Sequence, residues 1–322
     1  MPLRLQADLL PFLLAPGARH RNDASAAAAS NWRNHGDIAL PVGLSLQWLG
    51  TAGFAISYQG TTLVTDPYLT RRPFGHIARG RVLIPDAEQV PRFVPRCDAV
   101  LMGHTHFDHA LDAPKIAAAH GCPVYGSRSM THLMGLHGLA EQAVTVEPDT
   151  PYAIGPFVVR FIPSVHSKLM LGLAIPQEGE ITCDHCDHMT NKTFNCGQVW
   201  GIHIEVAGTS LYHMGSCDLI DDAITRPAEW FLAGIAGRGS TPRFWERVLR
   251  KVQPRVLIPH HHDNFFLPLG EEMGFSLNVN YGSMLHEVRA VDPELRIVSL
   301  HPLQSVGSER SGAAPAPGSG KS

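Results

Sequence analysis

The hexapeptide His104-Thr105-His106-Phe107-Asp108-His109 constrains this chain more than any other stretch. It follows directly on an apolar run at 99–102 that reads as a strand, so it occupies a strand end. In extended backbone, side chains two positions apart point the same way. His104 and His106 can therefore share one metal ion, while Asp108 and His109 turn toward a neighbouring position. Three imidazoles and a carboxylate within six residues form a donor set that suits zinc. A polar loop with incidental histidines rarely gathers four ligand-type residues at this spacing.

The wider composition agrees. Nineteen of the 322 residues are histidine and several are clustered, as a transition-metal site requires. The net charge is −3 with no block of lysine or arginine, so no nucleic-acid footprint is expected. No apolar run approaches the roughly 20 residues that cross a bilayer. Asp8 and Pro11 interrupt the short apolar patch near the N-terminus, which makes a poor secretion signal and predicts a cytoplasmic protein. A chain this long can bury a core without disulfide staples, although its six cysteines are even in number.

Residues 1–43 read as a peripheral arm and 305–322 as a disordered Gly/Ala/Pro/Ser-rich tail, leaving 44–304 as the folded domain. Strands are expected at 44–48, 53–58, 62–65, 99–102, 123–125, 157–162, 199–206, 210–214 and 255–258. Helices are expected at 113–119 and 127–136. Another runs to 252, with Thr241 as cap and Pro242 at its first position. Strands first in hairpins, then alternating with helices, predict an α/β protein with helices outside layered sheets.

His104-x-His106-x-Asp108-His109 after a strand resembles the hallmark of the metallo-β-lactamase superfamily. Other stations follow in order from about Leu44 to Leu300: Thr65-Asp66-Pro67, Pro163-Ser164-Val165-His166 and Pro259-His260-His261-His262-Asp263. With Trp48-Leu49-Gly50-Thr51-Ala52-Gly53, the pattern looks most like the lactonase and phosphodiesterase-type branch. That branch includes ascorbate phosphate lactonases and the phospholipase D that cleaves N-acylphosphatidylethanolamine. The resemblance implies a four-layer αββα sandwich and one or two zinc ions (Zn2+). His104, His106 and His166 would hold the first metal, and Asp108, His109 and His261 the second. His260 and His262 stay open as alternatives because three consecutive histidines blur the register, although strand alternation turns them away from His261 and favours it. Asp66 would orient a ligand histidine or serve as a ligand itself. At Gly215-Ser216-Cys217-Asp218, Ser216 stands where the family places a bridging carboxylate, which leaves Asp218 as the candidate bridge.

The implied chemistry is hydrolysis of an ester, lactone or phosphodiester by a metal-bound hydroxide, with Asp108 passing a proton. The substrate is expected to be a small molecule or lipid-like, since Phe107, Phe265 and Phe266 near the ligands favour an apolar portion. Two alternatives remain: iron-dependent redox chemistry on the same scaffold, and a non-catalytic metal-binding module. The segment 183–196 carries Cys183, His185, Cys186, His188 and Cys196. It reads either as a separate zinc site or as a polar hairpin tip, and it is a candidate wall of the site.

Overall fold

The structure, a computed structural model, describes residues 15–168, 174–276 and 279–307. Among these, fourteen strands form two seven-stranded sheets. The first sheet contains β1 (Ser45–Gly50), β2 (Gly53–Tyr58), β3 (Thr61–Thr65), β4 (Ala99–Leu101), β5 (Val124–Gly126) and β6 (Ala143–Thr145). The second holds β7 (Tyr152–Ile154), β8 (Phe157–Ser164), β9 (Val199–Val206), β10 (Thr209–Met214), β11 (Trp230–Gly234), β12 (Val256–His260) and β13 (Arg296–Ile297). The final strand, β14 (Ser305–Gly307), returns to pair antiparallel with β1 at the edge of the first sheet.

Side-chain alternation makes the layers. Along β11, Trp230 and Leu232 face the other sheet, while Phe231 and Ala233 face outward under helices. The inter-sheet core gathers Trp48, Phe54, Phe157, Phe161, Ile202 and Ile258. Helices Ala113–His120 and Arg128–Leu136 cover the first sheet through Ile116, Met130 and Leu133 against Val100 and Val124. Helices Phe244–Val252 and Tyr281–Val291 cover the second through Val248, Val252, Met284 and Val288. This is the expected αββα sandwich, with β4, β11 and β12 buried along their whole length.

Beyond shifts of a residue or two at element ends, three differences from expectation stand out. Within the arm, Pro16–Ala29 forms a helix docked on the domain: Ser30 Oγ bonds Tyr281 Oη at 3.0 Å, and the Gly282 amide donates to Asp23 at 3.2 Å. Ser305–Gly307, placed in the tail by its composition, is a strand because the open edge of β1 supplies its hydrogen-bond partners. The rest of the expected tail, 308–322, lies outside the described residues. The third helix starts at Phe244, after Arg243 at φ 53°, so Pro242 lies before it and not at its first position.

Candidate metal centre

The hexapeptide leaves β4 through Gly103 and enters a short helix, Phe107–Ala110. The Thr105 amide and hydroxyl both donate to the Cys196 carbonyl, at 3.0 Å each, which fixes the turn from the 183–196 side. His104, His106 and His166 then bring one donor atom apiece within 4.8 Å of one another, although His166 comes from the far sheet at the end of β8. Asp108, His109 and His261 meet the same criterion, as do Asp66, His104 and His109.

Hydrogen bonds assign the free nitrogens, because an imidazole beside an oxygen acceptor must carry its proton there. His106 Nε2 donates to the Pro176 carbonyl at 2.8 Å, leaving Nδ1 facing His104 Nε2 at 3.1 Å. His166 Nδ1 donates to the Ser167 carbonyl at 2.7 Å, leaving Nε2 free. His109 Nδ1 donates to Asp66 Oδ2 at 3.0 Å, leaving Nε2 toward Asp108 Oδ2 at 3.9 Å. His261 Nε2 lies 3.3 Å from that same Asp108 oxygen. Ligand histidines are oriented in this way at metal sites, one nitrogen anchored and the other presented.

Electrostatics favour the ligating forms of the His104, His106 and His166 triad and of Asp108. Burial, reinforced by neighbouring imidazoles, pushes His104 well below its ordinary range, lowers His106 and takes His166 down to about 3. Neutral imidazole is the form that binds metal. Burial by itself would raise the Asp108 carboxyl, but His109 and His261 outweigh it and hold the group below the usual carboxylate range. Burial would likewise lower His109, but Asp108 and Asp66 outweigh it and raise that imidazole. The donor set therefore fits a divalent transition metal: a triad of neutral imidazoles beside a mixed carboxylate and imidazole group.

Tight turns aim these side chains. Asp66 directly follows β3 at φ 35°, and its Oδ1 accepts the Gly103 amide at 2.6 Å. A Cβ on Gly103 would stand 2.8 Å from Asp66 Oδ2, and one on Gly215 2.7 Å, so glycine at both positions lets this carboxylate reach His109. His261 lies just beyond β12 at φ 58°, its amide bonded to the Thr51 carbonyl at 2.9 Å. That turn sends His261 toward Asp108, whereas His260 and His262 enter the interior at 0% exposure. Non-glycine residues with positive φ are costly, and they persist where surrounding structure holds them. Here Asp263 does so, accepting the Thr51 amide at 3.0 Å and pairing with Arg71 at 2.6 Å. Nothing in the sequence signalled Arg71, because its partner is 192 positions away.

One expectation is corrected. Asp218 is not brought to the cluster: its carboxylate pairs with Arg247 at 3.3 Å and caps its own following amide. Ser216 Oγ accepts the Ser167 amide at 3.0 Å, tying the two strand ends together without a carboxylate. Among the described residues, the side chains of the 183–196 segment form no three-donor group, and all six cysteines are free thiols.

The comparisons define the class. The model described as beta-lactamase superfamily domain matches residues 45–261, and the chain belongs to the metallo-β-lactamase superfamily. Its curated relatives are metal-dependent hydrolases by name. A UPF0173 metal-dependent hydrolase from Polaromonas sp. is 25% identical over 233 residues, covering 67% of this chain and 76% of that protein. A second, from Carboxydothermus hydrogenoformans, is 24% identical over 260 residues, covering 75% of this chain and 99% of that one. Two solved structures share the fold. Igni18, a metallo hydrolase from Ignicoccus hospitalis, gives a TM-score of 0.52 at 17% identity, covering 82% of this chain and 97% of that chain. CmlA, a diiron beta-hydroxylase from Streptomyces venezuelae, gives 0.55 at 14% identity, covering 83% and 55%.

Proposed function

We propose that this protein is a zinc-dependent hydrolase of a small-molecule ester, lactone or phosphodiester, including lipid-like members of those classes. The observation that carries the reading is the convergence of His104, His106 and His166, with the second nitrogens of His106 and His166 already anchored to carbonyls. When bound there, a divalent cation supplies Lewis acidity, polarising a carbonyl or phosphoryl oxygen and making water a competent nucleophile near neutral pH. His104, His106 and His166 would hold the first ion; His109, His261 and Asp108 would hold a second. Asp66 fixes the ring of His109. Asp108, kept ionised by two imidazoles, is placed to accept a proton from the attacking water. A cytoplasmic location belongs to the same proposal and is checked by cell fractionation.

Elemental analysis coupled to a panel of esters, lactones and phosphodiesters tests this reading. Wild type is expected to carry zinc and to cleave one of these classes, and His106→Ala to lose both. Equal zinc and equal activity in the two proteins would remove the cluster from the chemistry. Iron with a visible absorption band would replace hydrolysis by redox chemistry. Zinc without turnover of any panel member would leave a binding module.

A further inference from the structure

A row of aromatic rings leads from the metal centre to the surface. The His261 and Phe265 rings lie 5.6 Å apart at 86°, Phe265 and Phe266 4.5 Å apart, and Phe266 and Phe74 5.3 Å apart. Tyr68 and Phe107 flank the inner end, at 6.3 and 6.5 Å from Phe265. Phe107 also directly follows His106, so the inner end of the row meets both ligand segments.

This row is unlike the core aromatics. Trp48, Phe54 and Phe157 are 0% exposed and sit between the sheets, whereas Phe107, Phe265 and Phe266 are half-buried and Phe74 is 64% exposed. Six large hydrophobic side chains are exposed among the described residues, and two of them, Phe74 and Leu267, belong to the row or directly follow it in the chain. Isolated exposed hydrophobics need no explanation, but a row of touching rings that begins at His261 does. Binding clefts combine such apolar walls with a few placed polar groups.

We infer that the Phe265–Phe266–Phe74 row seats an acyl or aryl portion of the substrate, with the scissile group at the His261 end. The inference rests on the hydrolase reading and adds a substrate class to it. The occupant is the substrate itself because the row starts at a ligand histidine, and neither a partner protein nor a second copy requires that continuity. Phe265 sets the inner contact, and Phe74 and Phe266 determine how long an apolar chain gains by binding.

The test uses straight-chain carboxylates, from acetate to decanoate, as product analogues titrated calorimetrically into the zinc-loaded full chain. Affinity is expected to climb about fourfold per added methylene along the row. Phe74→Ala and Phe266→Ala are expected to flatten that climb for the longer chains, while zinc content by elemental analysis stays at the wild-type value. Because Phe74 is exposed, its variant folds whether or not the row binds anything. A flat dependence in wild type, or a climb that survives in both variants, overturns the inference. So does a concentration-dependent dimer that Phe74→Ala abolishes, which would assign the patch to a second copy. A climb without turnover of any ester, lactone or phosphodiester defeats the hydrolase reading and leaves the row as a binding track. Turnover with a flat chain-length dependence does the reverse.

Discussion

Two groups of buried histidines show what an imidazole does in this protein. In the first, His104, His106 and His166 offer donor atoms to one point, and two of them spend their other nitrogen on a carbonyl. In the second, His213, His260 and His262 serve as aromatic filling between the layers. His213 and His260 lie parallel with centroids 5.1 Å apart, and Phe54 meets both edge-on. His262 packs against Trp48 at 4.8 Å and Tyr281 at 5.0 Å, with no hydrogen-bond partner in the protein for either nitrogen. Burial lowers the pKa of both groups. The difference lies in direction: a histidine becomes a ligand when its free nitrogen shares a point with others.

The contrast can be broken most directly at Asp66, whose carboxylate accepts a hydrogen bond from His109 and orients its ring. Asp66→Asn is expected to weaken zinc binding by about 10- to 100-fold, measured by competition with a chelating dye. An unchanged affinity would show that His109 needs no orienting partner.

Acid should act next most strongly, and on both groups. His166 and His262 have folded pKa values of about 3 and about 4, against roughly 6.5 for an unfolded histidine. The unfolded chain therefore takes up protons as pH falls through 6.5, whereas the folded one resists until near 3 to 4. Stability present above pH 6.5 is lost on acidification across that window, at up to about 1.4 kcal/mol per pH unit for each such ring. Denaturant midpoints of chelator-treated protein at pH 7, 6 and 5 would check the slope; a pH-independent midpoint would contradict it.

Replacing filler should cost little. His262→Phe, placed among Trp48, Phe275 and Tyr281, is expected to change stability by no more than about 1 kcal/mol, since a buried donor and acceptor without partners are removed. Zinc content should stay the same and the acid slope should become shallower. Loss of zinc would move His262 into the first group. The smallest effect is expected at Asp218→Asn, which breaks a partly exposed pair with Arg247: zinc stoichiometry unchanged, stability lower by less than about 1 kcal/mol. A lost zinc ion in this variant would restore Asp218 as a bridging group.

Much of this was legible in the residues. The hexapeptide, its strand and the order of stations required only local spacing, and strand alternation favoured His261 over its two neighbours. The order of elements, strands first in hairpins and then alternating with helices, indicated layered sheets with helices outside, and the resemblance supplied the αββα form. Strand β11, Trp230–Gly234, was overlooked although it is wholly apolar and flanked by Pro227 and Gly237. The strand at Ser305–Gly307 was hidden for the opposite reason: its residues are ordinary tail residues, and its structure comes from the partner edge. Asp218 was misjudged because chain proximity to Gly215 says nothing about Arg247, which approaches from a helix 29 positions onward.

The sequence by itself determined which side chains could bind a metal and which segments would end as strands, since donor chemistry and hydrophobic alternation are local properties. Only the tertiary structure decided that His166, His261 and Asp66 would reach the hexapeptide and that Asp218 would not. Those outcomes depend on how two sheets stack and on backbone turns at positive φ, and both are settled by contacts between residues far apart in the chain.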